Sequence, residues 1–415
     1  MNETLLEEFR NLYQNKWFKL AFYVNCGYLI VAVCLTLFLL RDFNDFLVYF
    51  QVGGQFLEDI SNLYNPLNYK WAFRYFPLFG LVFVPFFVVG FDLGFIIAQT
   101  LGFFFNIIIC IYLLRIFKLI RPDRIEEYYE DFIIFISIFL LSVPQFYNYI
   151  LGQINLYISL LIIISLFLFL KYEDLKHNFL ASILLGFTTI LKPITLFIIP
   201  FIIMIKISLE TKKIEFNGKT TLIRLLGVFI PLMVNALFFI FIPGLLEGFI
   251  EINLGGANPI DLNHSFSITK LITNFFNFFS IDFNQIIIIL IIFTVIMGAG
   301  LIIYITRKKD KFALLYGYIL GILIMLLVYF DSWDHHLLIL TPLLIIAIVN
   351  ISQDSNKSKK YLIPSFLFFS FTDLACVGLW YLLEPWFPFN FIPAIFLMIT
   401  FIAISKDLLN INHKE

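Results

Sequence analysis

Residues 178–206, NFLASILLGFTTILKPITLFIIPFIIMIK, decide how this chain is threaded. The run is too long for an ordinary single helix crossing, and Lys192-Pro193 interrupts it near its middle. Proline lacks the N–H that a helix interior needs and disfavours helical geometry in the residue before it. The stretch therefore predicts a hairpin of two short helices turning at Lys192. A second irregular run, 76–91, is short and carries Pro77 and Pro85. It predicts a segment that dips into the membrane without crossing.

Further apolar runs occupy 17–40, 94–117, 131–147, 154–170, 222–243, 284–306, 311–330, 335–350, 360–382 and 388–406. With the two irregular runs treated in this way, all of the 28 Lys and Arg residues except Arg41, Lys70, Arg74, Lys192 and Lys270 fall on the cytoplasmic side. If each run crossed once, Arg115, Lys118, Arg121, Arg124, Lys171 and Lys176 would move outside and Lys192 would become a mid-membrane charge. The positive-inside rule favours the first threading. The expectation is an all-α polytopic membrane protein of about twelve spans, one domain over 1–415, integral to the plasma membrane with both termini cytoplasmic. Loops 41–93 and 244–283 then face outward, as do turns at 148–153, 192–193, 331–334 and 383–387.

Composition demands a bilayer. The chain is 61% hydrophobic, 19% aromatic and only 14% charged, with a mean hydropathy of +0.93, too apolar for a soluble core to hide. A formal net charge of −1 gives no footprint for nucleic acid. Cys26, Cys34, Cys110 and Cys376 lie in apolar stretches without C-x-x-C spacing, so neither a disulfide nor a metal cage is expected. The first apolar run is too long for a signal-peptide core and predicts an uncleaved first span.

The chemistry lies in polar islands, all on the outward side. Ionisable groups at membrane depth are costly and therefore mark function. Asp42 and Asp45, at i,i+3, share a face if they lie on one helix, beside Tyr49; a partly desolvated carboxylate there suits a general base, or the acids simply cap a helix dipole. Lys192 is the only basic residue between Lys176 and Lys206, and is either a fixed cation for a lipid phosphate or a snorkelling lysine. His335 and His336 diverge on a helix, which predicts that one meets ligand while the other packs or caps; Asp331 and Asp334 orient an imidazole or cap. Gln153 and Asn155 offer amides to sugar hydroxyls or to neighbouring backbone. Asn263-His264-Ser265 also fits a glycosylation pattern. The aromatic approach Tyr64, Tyr69, Trp71, Phe73, Tyr75 and Phe76 fits an interfacial belt better than a sugar platform.

In order, Asp45-Phe-Leu-Val-Tyr49, Leu63-Tyr64, Tyr75-Phe-Pro77, Gly152-Gln-Ile-Asn155, Leu191-Lys192-Pro193, Asn263-His-Ser265 and Trp333-Asp-His-His336 resemble glycosyltransferase family 87, membrane mannosyltransferases of the type C superfamily. The resemblance covers about residues 42–345, and departs from the family pattern at His264, where Gln is expected. It implies a type C fold with juxtamembrane helices in the first outer loop. The implied reaction moves a hexose, usually mannose, with inversion, from a polyprenyl-phosphate donor to a lipid- or glycan-borne hydroxyl on the extracytoplasmic face. No cofactor or metal is implied, and the products would be glycolipids, cell-envelope polysaccharides or protein-linked glycans. Asp45 matches the family's base. Lys192, His335 and His336 would hold the donor phosphate, and Tyr49, Tyr75, Gln153, Asn155, Asn263, His264 and Ser265 would meet sugar or acceptor. The rival from another class is a secondary transporter or lipid flippase with a broken-helix site at Lys192-Pro193.

Overall fold

The structure is a computed structural model that describes residues 4–122, 125–208, 213–255, 265–307, 312–351, 356–372 and 391–410. Helix follows helix, because apolar segments in lipid must satisfy their backbone polar groups internally. The chain begins with α1 (Leu5–Gln14) and α2 (Lys16–Leu35), then α3 (Asp45–Glu58) and α4 (Leu78–Val88). Next come α5 (Phe91–Ile120), α6 (Ile125–Leu141), α7 (Val143–Leu151), α8 (Asn155–Lys171) and α9 (Leu175–Leu191). A 3-10 helix, Pro193–Ile202, leads into β1 (Ile205–Ser208) and β2 (Lys213–Phe216). The remainder is α10 (Gly218–Phe241), α11 (Leu245–Ile250), α12 (Ile268–Phe278), α13 (Gln285–Ile305), α14 (Ala313–Val328), α15 (Leu337–Asn350), α16 (Asn356–Leu367) and α17 (Ile392–Asn410).

Among the described residues six stretches are long and apolar enough to cross a bilayer: Lys16–Phe43, Phe91–Ile120, Glu126–Leu151, Gly218–Phe241, Gln285–Ile305 and Ile392–Leu409. Between them pack the shorter apolar helices α8, α9, α14 and α15. This is an all-α polytopic membrane protein. Every residue of α14 and α15 is buried, as expected of helices that are apolar on all faces and sit at the centre of a bundle. On the periphery, α2, α10 and α13 turn residues such as Val31, Ile240 and Val295 outward, the face a lipid solvent takes. Part of the 360–382 run and the 383–387 turn lie outside the described residues.

Buried amides fasten the first helices together. Asn25 Nδ2 donates to the Leu140 carbonyl (2.8 Å), Tyr149 Oη donates to Asn25 Oδ1 (2.9 Å), and Asn106 Nδ2 donates to Gln145 Oε1 (3.1 Å). In an apolar interior such groups must find one another.

The deciding stretch folds back on itself. Thr188 is the backbone acceptor for the Lys192 N–H, Lys192 itself is extended, and Pro193 opens the 3-10 helix. Arg224 of α10 then donates from Nε to Asn178 Oδ1 (2.7 Å) and from Nη1 to the Ile202 carbonyl (3.1 Å), its guanidinium lying over Phe169. One side chain thus clamps the start of α9 to the end of the 3-10 helix, which makes the pair a hairpin with Lys192 at its turn.

The other irregular run is α4. Its 11 residues span roughly 16 Å, about half the hydrocarbon thickness, so it cannot cross alone. It lies against α3, and there a glycine is required: a Cβ on Gly53 would sit 2.6 Å from the Phe83 carbonyl oxygen. We expect Gly53→Val to cost about 1–3 kcal/mol through overpacking and to lower the melting temperature of the detergent-solubilised protein. Gly27→Val, at a position whose added Cβ meets nothing within 4 Å, should leave it unchanged.

Candidate functional site

At one end of the bundle a cavity of about 740 Å³ is lined by Asp45, Tyr49, Lys70, Trp71, Arg74, Tyr75, Gln153, Lys192, Tyr329, Asp331, Trp333, His335 and His336. Five places in the chain supply them: the start of α3, the loop before α4, the loop before α8, the end of α9 and the tract between α14 and α15.

Asp45 is placed by its neighbour Asn44. The Asn44 backbone is extended, its Oδ1 accepts from the Phe46 N–H (2.8 Å) as an N-cap, and its Nδ2 donates to the Ile150 carbonyl and to Thr36 Oγ1 (3.3 Å). The start of α3 is thereby tied to the end of α7. Asp42 sits before this break in a 3-10 turn, Arg41–Phe43. The expectation that Asp42 and Asp45 share one helix face is corrected, because the capping residue lies between them, and only Asp45 lines the cavity.

Across from Asp45, α7 ends at Gly152 in a left-handed conformation (φ 67°). A Cβ there would meet Phe46 Cβ at 2.5 Å and Asn44 Oδ1 at 2.7 Å, so only glycine allows the approach. The approach delivers Gln153, whose Nε2 donates to Asp45 Oδ2 (2.5 Å) and whose Oε1 accepts from the buried Tyr49 hydroxyl (3.0 Å). Tyr49 having spent its proton on Gln153, the Tyr75 hydroxyl donates to Tyr49 (3.2 Å). The phenol therefore sets which way the amide points. Burial pushes the Asp45 carboxyl above its ordinary value, and neither the Gln153 donor nor the Lys192 charge cancels the effect.

Lys192 is buried, with 5% exposure, which excludes a snorkelling lysine. Its Nζ donates to Asn155 Oδ1 (2.7 Å), and Asn155 Nδ2 donates in turn to Asn148 Oδ1 (3.1 Å). Asn148 Nδ2 donates back to the Gln153 carbonyl (3.1 Å). The amides of Gln153 and Asn155 thus hold the carboxylate and the ammonium, where the sequence suggests sugar hydroxyls or neighbouring backbone.

The histidines end a 3-10 turn, Asp334–His336, and both line the cavity with ring centroids 4.4 Å apart. What is corrected is the α-helical divergence assumed for the pair: the 3-10 turn lets both rings reach the cavity wall, although one of them also caps. His336 does cap, accepting at Nδ1 from the Trp333 N–H (3.1 Å), which leaves its Nε2 free to carry a proton in the neutral ring. Asp331 neither caps nor orients an imidazole. Its Oδ2 pairs with Arg74 Nη1 at 2.8 Å, joining the first loop to the histidine tract. Burial opposes the Arg74 charge, but Tyr329 and Asp331 outweigh it and hold the guanidinium above its usual value.

Ser265 is buried and donates from Oγ to the Phe330 carbonyl (2.6 Å), while the Phe266 N–H donates to the Ser332 carbonyl (2.9 Å). It is absent from the cavity wall and fastens the second large loop to the histidine tract. Asn263 and His264 lie outside the described residues. The aromatic approach is also corrected. Tyr64 stacks on Phe73 (5.5 Å) and Tyr75 on Phe79 (4.5 Å), with Tyr64, Tyr69 and Phe73 buried, so these rings are the loop's own core instead of a lipid belt.

The sequence model of glycosyltransferase family 87 matches residues 73–329. The chain belongs to this family. No curated protein matches it. The matched span carries Arg74, Tyr75, Gln153, Asn155 and Lys192, while Asp45 and the histidine pair flank it on either side.

Around this cavity Lys70, Arg74, Asn44 and Asn148 escape sequence reasoning as site residues, and Trp71, read as part of an interfacial belt, lines the wall instead. Arg74 sits among aromatics in a loop, and only the fold brings it to Asp331. Asn44 carries a readable signal, an Asn immediately before an apolar periodic run, which is an N-cap pattern. The Arg74–Asp331 pair is part-exposed, so a double-mutant cycle on Arg74→Gln and Asp331→Asn should return a coupling of about 0.2–1 kcal/mol in thermal stability. A coupling of zero would mean that the pair does not fasten the two segments.

Proposed function

We propose that the protein transfers a hexose, most simply mannose, from a polyprenyl-phosphate donor to a lipid- or glycan-borne hydroxyl on the extracytoplasmic face, with inversion. Membership in a glycosyltransferase family supplies the reaction class. The observation that carries the finer assignment is the meeting of one carboxylate, Asp45, with one buried ammonium, Lys192, and two imidazoles in a single cavity at the end of the bundle.

In the proposed reaction the acceptor hydroxyl gives its proton to Asp45, whose Oδ2 is held by Gln153 while Oδ1 is left for the acceptor. The acceptor oxygen bonds to the anomeric carbon as the bond from that carbon to the phosphate oxygen breaks. Polyprenyl phosphate departs with the bonding pair. The leaving oxygen has low proton affinity, so no general acid is needed. Lys192 Nζ has donors beyond the one engaged by Asn155, and with His335 and His336 it would neutralise the phosphate charge where little water competes. The gathering of these groups at one end of the bundle, together with the family, favours transfer over transport, for which a midplane path would be expected.

Asp45→Asn should lower transfer from a polyprenyl-phosphate hexose by roughly two to four orders of magnitude while the protein still folds and elutes as the wild type does. Wild-type turnover by this mutant would remove Asp45 as base. The base acts as the carboxylate, so activity should rise with pH through an acid limb displaced above the ordinary carboxylate range, following the raised Asp45 value. Gln153→Leu removes a donor that favours the ionised form and should move that limb further upward. A limb that stays in place would show that Gln153 does not act on Asp45.

A further inference from the structure

The β1–β2 hairpin takes no part in the cavity. It pairs antiparallel, with Ile205 opposite Phe216, Lys206 opposite Glu215, Ile207 opposite Ile214 and Ser208 opposite Lys213. Residues opposite one another share a face, and the faces alternate along each strand. One face is therefore Ile205, Ile207, Ile214 and Phe216, and the other Lys206, Ser208, Lys213 and Glu215. Ile214 and Phe216 are 67% and 61% exposed. Such a ribbon would leave its apolar face in water unless something else covers it.

We propose that this hairpin is a membrane-surface anchor, its apolar face seated at the headgroup–acyl boundary of one leaflet and its Lys206 and Lys213 face turned to phosphates and water. Three observations commit the occupant to lipid. The hairpin runs directly into α10, whose Leu222, Leu226 and Phe229 are exposed along a helix apolar enough to span the bilayer, so the apolar surface continues from one to the other. The sheet has two strands among the described residues: Arg307 Nη1 donates to the Ile205 carbonyl on the β1 side (3.3 Å), but no described strand pairs the outer edge of β2, whose N–H and C=O groups cannot be buried in hydrocarbon. Its depth is thus bounded from below by that edge and from above by the exposed Ile and Phe. Finally, the polar face offers two lysines to anionic headgroups. Arg224 places the preceding Ile202 beside the start of α9, whereas Lys192 at the end of α9 lines the cavity. The anchor therefore marks the bilayer boundary at the end of the bundle opposite the candidate site.

The test is a scan of single cysteines, Lys213→Cys, Ile214→Cys, Glu215→Cys and Phe216→Cys, in the full chain with its own four cysteines replaced by alanine. Spin-labelled protein in vesicles of phosphatidylcholine and phosphatidylglycerol is probed with oxygen, which concentrates in lipid, and with a water-soluble nickel chelate. The ratio of oxygen to nickel accessibility should be severalfold higher at 214 and 216 than at 213 and 215. Nickel-dominated collisions at all four positions would put the hairpin in water, and suppression of both collisions at 214 and 216 would mean that protein covers the face. Either result overturns the proposal. If the cysteine-free chain does not assemble, Phe216→Trp and Glu215→Trp in the natural background read the same alternation through quenching by brominated lipid, with stronger quenching expected at 216.

Discussion

An ammonium buried at the turn of an apolar hairpin must be compensated, and the Lys192–Asn155 hydrogen bond supplies that compensation. The rest of the site is arranged around this constraint. Pro193 stops α9 at that point, Arg224 closes the far end of the hairpin, and Asn155 opens α8 with its amide already committed to the lysine. Asn155 leans on Asn148, and Asn148 on the Gln153 carbonyl, so the cation and the carboxylate's partner belong to one chain of amides.

The same economy governs Asp45. A carboxylate in a poorly hydrated cavity needs a donor, and Gln153 supplies it, its orientation dictated by Tyr49 and, through it, Tyr75. Each of these side chains comes from a different segment, and each is itself packed: Tyr49 against Phe79 and Phe83, Tyr75 on Phe79. Side chains fixed from behind in this way give a preorganised site, the condition under which charge stabilisation is most effective. In the proposed reaction the first loop would therefore be part of the machinery and not a cover over it. Arg74 and Asp331 hold that loop to the histidine tract.

Lipid supplies what the protein lacks. The helices on the periphery expose Ile, Leu, Phe and Val to it, and the hairpin after the 3-10 helix leaves the outer edge of β2 without a described partner strand, which lipid cannot tolerate at depth. With the hairpin anchored as proposed, it would mark the bilayer boundary at the end of the bundle away from the cavity.

Amino-acid order by itself determined the helical, membrane-embedded class, because composition and run length leave no other solvent. It also determined the break at Lys192-Pro193, because proline acts locally. The islands at Asp45, Gln153, Asn155, Lys192 and His335-His336 were visible as polar groups where polarity is costly. Only the tertiary structure decided their roles. Whether Gln153 holds a carboxylate or a sugar, and whether Arg74 finds Asp331 across 257 positions, both depend on contacts between segments far apart in sequence. Local pattern carries no information about which distant side chain will satisfy a buried polar group. Packing decides that, since each such group must be paired with whatever the fold brings beside it.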